Sequence, residues 1–172
     1  MLVVFTVRPY KESDLKQLIE LYQLAFSEPP WNETWTQEQV QEDLEFALQQ
    51  ESPIILVAEK TSLLGFAWGY SLPLEKFPFL SGITNNASYM DEIAVLSNKR
   101  TKGIGTLLGL EYLKIATPNF AEVILRTDER NTSSMTLFKK LGFYPVKIEE
   151  NTIYDPEYPE RIYLRRKLKW KQ

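Results

Sequence analysis

The chain has 172 residues, a formal net charge of −3, 44% hydrophobic and 25% charged side chains, and neither cysteine nor histidine. Without those two residue types, disulfides, thiolate nucleophiles, zinc sites and Ser-His-Asp triads are excluded, and acid–base work falls to carboxylates, tyrosines, lysines or water. The acidic balance argues against a general nucleic-acid binder, because phosphate neutralisation needs clustered Lys and Arg. The basic tail, Arg161 and Arg165-Arg166-Lys167 with Lys169, reads as a solvated strand face.

Length and composition suit one ordinary globular domain spanning 1–172. No apolar run approaches the roughly 20 residues that cross a bilayer, so no membrane partner is expected. The opening Met1-Leu2-Val3-Val4-Phe5-Thr6-Val7-Arg8 has no basic n-region, is too short for a signal h-region, and reads as a first strand; a cytoplasmic protein is expected.

A strand over 2–8 leads into a helix over 13–27, where Leu15, Leu18, Ile19, Tyr22, Ala25 and Phe26 recur at helical spacing behind Ser13 as N-cap. Glu28-Pro29-Pro30-Trp31-Asn32-Glu33 is turn-rich. Thr36 with Gln39 forms a capping-box pattern opening a second helix with Val40, Leu44, Ala47 and Leu48 on its apolar face. Strands over 53–58 and 63–70 follow, joined tightly; Leu64, Phe66, Trp68 and Tyr70 face one way in the second. After a long loop, a strand over 88–96 runs into a basic glycine turn. A helix over 105–117 follows, with Ile104, Leu107, Leu108 and Ile115 on one stripe. A strand over 122–128, a helix over 132–141 stopped by Gly142, and strands near 143–149 and 161–168 complete the chain. This order predicts an α/β fold: a mixed sheet, parallel at its β-α-β-α centre and antiparallel around it, with helices on both faces.

The turn Arg100-Thr101-Lys102-Gly103-Ile104-Gly105-Thr106 lies between an apolar strand and an amphipathic helix. Alternate glycines expose successive N–H groups, the helix adds its own unpaired N–H groups and positive dipole end, and Arg100 and Lys102 add charge, which together suit a pyrophosphate. A Walker A loop is absent, and the third glycine of a Rossmann fingerprint is replaced by Leu108. What remains is Arg-x-x-Gly-x-Gly after a strand. Together with Tyr89-Met90-Asp91-Glu92-Ile93-Ala94-Val95 and with Asn131-x-x-Ser134-x-x-Leu137-Phe138-Lys139-Lys140-Leu141-Gly142-Phe143, it resembles the GNAT acetyltransferase superfamily.

That resemblance implies a mostly antiparallel mixed sheet whose central parallel strands splay apart, and acetyl-CoA as co-substrate with no metal. Pantetheine would pair with the fourth strand near Ile93, Ala94 and Val95, where one N–H polarises the thioester carbonyl. The cofactor contacts implied are those three with Arg100, Thr101, Lys102, Gly103, Ile104, Gly105, Thr106, Asn131, Ser134, Phe138 and Lys140. The reaction implied is direct acetyl transfer to a primary amine of a small molecule or peptide. The alternatives are an acyl-CoA-binding module with little or no catalysis, or a transferase using another acyl-CoA.

A carboxylate on the fourth strand can take the amine's proton. Asp91 and Glu92 should face opposite ways, so only one serves; the register of polyamine-acetylating relatives favours Asp91 over Glu92. Phe138 stands where many relatives place a thiolate-protonating tyrosine, leaving Tyr144, Tyr89 or a water to substitute, or an unassisted thiolate. Relatives line the acceptor site with the segments that are here Glu28–Trp35 and Tyr154–Glu160. Their aromatic and acidic content suits a cationic amine, with Trp31, Glu33, Trp35 and Tyr154 as contacts. Trp31 and Trp35 equally suit anchoring of a helix-connecting loop. The oligomeric state stays open between monomer and homodimer.

Overall fold

The computed structural model describes residues 4–98 and 103–169. In chain order it comprises β1 (Thr6–Pro9), α1 (Leu15–Ser27), α2 (Gln37–Gln49), β2 (Ile54–Glu59), β3 (Leu63–Ser71), β4 (Ala87–Val95), α3 (Ile104–Ala116), β5 (Glu122–Asp128), α4 (Thr132–Lys140), β6 (Tyr144–Pro145), β7 (Lys147–Ile148), β8 (Asn151–Thr152) and β9 (Arg161–Lys167). Seven strands form one sheet in the order β1-β2-β3-β4-β5-β9-β6, with β4 and β5 parallel and every other pair antiparallel. This is the expected mixed, mostly antiparallel sheet. Among the described residues no helix is long and apolar enough to cross a membrane.

Local chemistry explains the departures from expectation. The cap of α1 is Asp14, not Ser13. Its carboxylate takes two bonds of 2.8 Å from the Arg8 guanidinium and one of 2.9 Å from the Lys11 N–H, so it ties the first helix to β1. The capping box at α2 forms as expected: Gln39 N–H donates to Thr36 Oγ1 (3.1 Å) and Thr36 N–H to Gln39 Oε1 (2.9 Å). The strand expected near 143–149 is broken. Pro145 has no N–H to extend a ladder, and Glu149 and Glu150, both at positive φ, turn the chain into the separate β7–β8 hairpin. Gly142 ends α4 at φ +88°, as expected of that position.

Apolar side chains from the two faces of the sheet form two cores. One packs Leu18, Tyr22, Phe26, Val40 and Leu44 of α1 and α2 onto Phe66, Trp68 and Tyr70. The other packs Ile104, Leu108, Tyr112 and Leu141 onto Ala67, Met90, Val123 and Leu125. Leu64 joins this second core, opposite to its expected face, because the β2–β3 register skips it. The buried stripe of α3 centres on Gly105, Leu108 and Tyr112, leaving Ile115 at its edge and 39% exposed.

A second irregularity lies at the centre of the sheet. The β3–β4 register runs Trp68↔Glu92 and then Gly69↔Met90, so Asp91 is an extra residue, a β-bulge. Opposite it, the Tyr112 hydroxyl enters the sheet, 2.7 Å from Ser88 Oγ and 3.3 Å from the Tyr89 carbonyl. A Cβ at Gly69 would lie 2.0 Å from that hydroxyl and 2.1 Å from the Tyr89 oxygen, so only glycine fits. Gly69→Ala is therefore expected to cost about 2 kcal/mol or more in urea unfolding, at or above the middle of the range for overpacking. Gly82→Ala, where a Cβ would meet nothing within 4 Å, should be near neutral.

Candidate active site

Strands β4 and β5 pair only at Ala87↔Glu122, Ser88↔Val123 and Tyr89↔Ile124, and then part. Beyond Tyr89 the β4–β5 ladder ends, and a cleft of about 510 Å³ opens there. Its wall is Ile93, Ala94 and Val95 on one side and the first turns of α3 and α4 on the other. Gly103 caps α3 at φ +79°, a left-handed conformation costly for any residue with a Cβ, and no side chain caps the helix there. The N–H groups of that first turn have no intrahelical acceptor and suit an anion. Arg100, Thr101 and Lys102 lie outside the described residues.

Of the residues expected to contact cofactor, Ile93, Ala94, Val95, Gly103, Gly105, Thr106, Asn131, Ser134 and Lys140 line this cleft. Ile104 is 1% exposed and sits beneath the turn in the core. Asn131 also caps α4, accepting from the Ser134 N–H at 3.1 Å. The sequence reading missed Thr132, Ser133 and Thr136, which line the cleft from α4. Their signal was a run of hydroxyl side chains directly after an N-cap.

A second cavity of about 720 Å³ adjoins the first, and Pro30, Trp31, Ile93, Asn131 and Ser134 line both, forming a neck. The bulge decides its chemistry. Alternation would send Asp91 and Glu92 to opposite faces, but the extra residue turns both toward this cavity. The Tyr70 hydroxyl donates to Asp91 Oδ2 at 3.0 Å, and Asp43 of α2 accepts from the Tyr22 hydroxyl at 3.0 Å. Burial, and then the charge of Asp43, push Asp91 up to about 6, against the Tyr70 hydrogen bond. Burial, then the charges of Asp91 and Asp43, push Glu92 well above the usual carboxylate range. Burial likewise raises Asp43.

Trp31, Glu33, Trp35, Tyr89 and Phe138 line the same cavity. The two tryptophans also anchor their loop: Trp31 meets Phe26 and Trp35 meets Tyr22 edge-on, with centroids 5.3 and 5.1 Å apart. Glu33 is turned to the Trp35 indole N–H at 3.0 Å. Tyr144 and Tyr154 are half-exposed and line neither cavity.

The C-terminal loop differs from its sequence. Asp155 turns inward and accepts from Arg126 Nη1 (2.9 Å), from the Tyr163 hydroxyl, and from the N–H groups of Glu157 (2.9 Å) and Tyr158 (3.0 Å). Burial alone would raise this carboxyl, yet those four donors hold it at about 2. What the loop presents to the cavity is Tyr158 and Arg161. The reading of a solvated basic face fails at three positions: Arg161 lines the cavity, Arg165 pairs bidentately with Glu122, and Arg166 donates to the Leu141 carbonyl.

A profile of the acetyltransferase (GNAT) family matches residues 15–143, from α1 through the end of α4. The chain belongs to the GNAT acetyltransferase family. Among curated proteins, none matches the sequence directly. Solved structures do match its fold. The ribosomal-protein-S18-alanine N-acetyltransferase of Escherichia coli is 16% identical, covers 98% of this chain and 97% of its own, and superposes with a TM-score of 0.69. The ribosomal-protein-alanine N-acetyltransferase of Brucella melitensis is 22% identical over 95% of this chain and 99% of its own, with a TM-score of 0.72. The PaiA N-acetyltransferase of Thermoplasma acidophilum, in complex with coenzyme A, is 17% identical over 95% and 99%, with a TM-score of 0.69. The family and fold make this GNAT protein an acyltransferase by descent.

The carboxylate cluster makes a prediction that needs no substrate. Tyr70→Phe removes the bond that lowers Asp91, and Asp43→Asn removes a charge that raises both cavity carboxyls. Carboxyl NMR titration should show the apparent pKa values of the pair rising in the first variant and falling in the second. Parallel shifts would mean that the two groups do not act on the pair as the geometry requires.

Proposed function

We propose that this GNAT protein moves an acetyl group from acetyl-CoA directly to a primary amine, with Glu92 as the general base and Asp91 as the group that tunes it. The observation that carries the reading is the neck at Ile93, where a cleft suited to a nucleotide thioester meets a cavity holding two up-shifted carboxylates.

The residues fit the cofactor. Gly103 and the first turn of α3 offer N–H groups without Cβ obstruction, Thr106, Thr132, Ser133 and Ser134 offer hydroxyls, and β4 beyond the end of its ladder with β5 offers main-chain groups to an extended amide chain. When bound, acetyl-CoA supplies the acetyl group as an activated thioester. Main-chain N–H groups of β4 near Ile93 and Ala94 would hold its carbonyl and stabilise negative charge developing on that oxygen.

Acid–base energetics favour Glu92. An alkylammonium near 10.4 lies about 6 units above an ordinary carboxyl near 4.3, so proton transfer is about 8 kcal/mol uphill. Each unit by which burial raises the carboxyl removes about 1.4 kcal/mol of that barrier. Glu92 is raised by burial and by the neighbouring charge of Asp91, and it precedes Ile93 of the neck. Asp91 is one residue further away and its Oδ2 is engaged by Tyr70. Phe138 has no proton to give and Tyr144 lies outside both cavities, so of the two tyrosines expected to protonate the thiolate Tyr89, which lines the second cavity, is the one in place.

Calorimetry should show CoA binding to the folded protein, and Gly105→Val should weaken it, because a Cβ at Gly105 already approaches Leu137 of the cleft at 3.3 Å. Thiol release with an amine panel should rise with pH as the pair loses its last proton. Glu92→Gln should cut kcat by about 10²–10⁴-fold, the usual contribution of a positioned base. Asp91→Asn should chiefly move the rising limb of the pH profile to lower pH, since it removes a like charge. The reverse ranking would make Asp91 the base. A protein that binds CoA and releases no thiol with any amine would be an acyl-CoA-binding module.

A further inference from the structure

The acceptor cavity is charged at both ends. On the β4 side stand Asp91 and Glu92; on the β5 and β9 side stand Arg126, Arg130 and Arg161. Two of those arginines are engaged. Arg126 pairs with Asp155 at 2.9 Å, and Arg130 binds Asp128 through two nitrogens at 3.0 and 2.7 Å. Among the described residues Arg161 forms no ion pair, although it stands opposite Asp128 in the β5–β9 register and its charge lowers that carboxyl, which Arg130 binds. Its guanidinium lies 4.2 Å over the Tyr158 ring, and both side chains line the cavity.

The loop that carries this pair is held by its own main-chain bonds, with Tyr158 41% exposed. The Arg161 N–H donates to the Tyr158 carbonyl at 2.8 Å, and the Asp155 N–H donates to the Arg161 carbonyl at 2.8 Å. Asp155 in turn accepts from the Tyr158 N–H. The loop is thus closed on itself. A guanidinium stacked on an aromatic ring keeps its edge donors free, in the fork that matches a carboxylate or phosphate. The cofactor's phosphates do not account for it, because Arg161 lines the acceptor cavity and not the cleft beside α3.

Resting on the acyl-transfer reading above, we propose that the acceptor is an amine bearing an anionic group at its far end, with Arg161 on Tyr158 as the residue that receives the anion. The ammonium meets Asp91 and Glu92 while the anion meets Arg161. Because β5 lies between β4 and β9, and neighbouring strands stand about 4.8 Å apart, the two backbones are separated by roughly 10 Å or more. The anion therefore sits several bonds from the amine, as in an ω-amino acid or near the N-terminus of an acidic peptide. A diamine, by contrast, would bring its second cation against Arg161.

The test compares 6-aminohexanoate, hexylamine, 1,6-diaminohexane and a short Ala-Glu peptide amide, each by thiol release from acetyl-CoA and by calorimetry on the CoA-bound protein. The carboxylate-bearing acceptors should surpass hexylamine in kcat/KM by about tenfold or more, and the diamine should be the poorest. Arg161→Gln should raise KM for the carboxylate-bearing acceptors by about tenfold, leave kcat nearly unchanged, and leave hexylamine unaffected. Arg161→Lys should restore part of the loss. The two anion-bearing probes separate a free amino acid from a peptide as the source. A preference for the diamine, or equal loss with hexylamine in Arg161→Gln, overturns the proposal. Absence of thiol release with every acceptor counts against the transfer reading alone, since carboxylate-dependent binding lost in Arg161→Gln would still uphold the anion site, and its absence would sink it.

Discussion

Everything at this site depends on where the pairing of β4 with β5 stops. Parallel ladders gain evenly spaced hydrogen bonds along their length, and ending the β4–β5 ladder at Tyr89 forfeits those of the positions beyond it. Tyr112 of α3 marks the stopping point. Its hydroxyl is buried between Ser88 and Tyr89, the last two β4 residues that pair with β5. Gly69 makes room for that hydroxyl, and the bulge at Asp91 follows at once. Helix, glycine, bulge and splay are thus one arrangement.

The bulge carries an electrostatic cost that a regular strand would avoid. Two adjacent carboxyls on one face, with Asp43 behind them, repel when all are ionised, and burial penalises each charge. Tyr70 and Tyr22 each donate a bond to Asp91 and Asp43, which offsets part of that penalty. Burial and the charges of Asp91 and Asp43 push Glu92 well above the usual carboxylate range. A carboxyl so placed holds a proton more readily than an exposed one, the direction that amine chemistry favours.

Much of the fold was legible because it is written in local chemistry. The Thr36 and Gln39 cap, the Gly142 stop and the order of apolar runs each specify an element without reference to distant residues. The cleft was legible for the same reason, since a glycine turn between strand and helix has few uses. What could not be read depends on packing. No pattern in Tyr89–Val95 announces a bulge; the extra residue at Asp91 arises from the demand of Tyr112 for space opposite Gly69. Asp14 displaced Ser13 as a cap because Arg8, on another element, binds it. The acidic loop Tyr154–Glu160 misled for a related reason. Its key carboxylate, Asp155, is consumed internally by Arg126 and Tyr163.

That consumption links the two ends of the larger cavity. Arg126 extends from β5 toward the carboxylates of β4, and its charge lowers both Asp91 and Glu92. Asp155 offsets that charge at close range, so the field of Arg126 at β4 is weaker than that of a lone guanidinium. Were Arg126 unpaired, it would pull the β4 carboxyls back toward ordinary acidity and compete with an ammonium for them. Asp155 holds Arg126 from the β9 side, while burial keeps Glu92 above the usual carboxylate range. The same carboxylate, through the N–H groups of Glu157 and Tyr158, shapes the loop on which Arg161 stands. One buried group therefore holds Arg126 beside one end of the cavity and shapes the loop that carries Arg161 at the other.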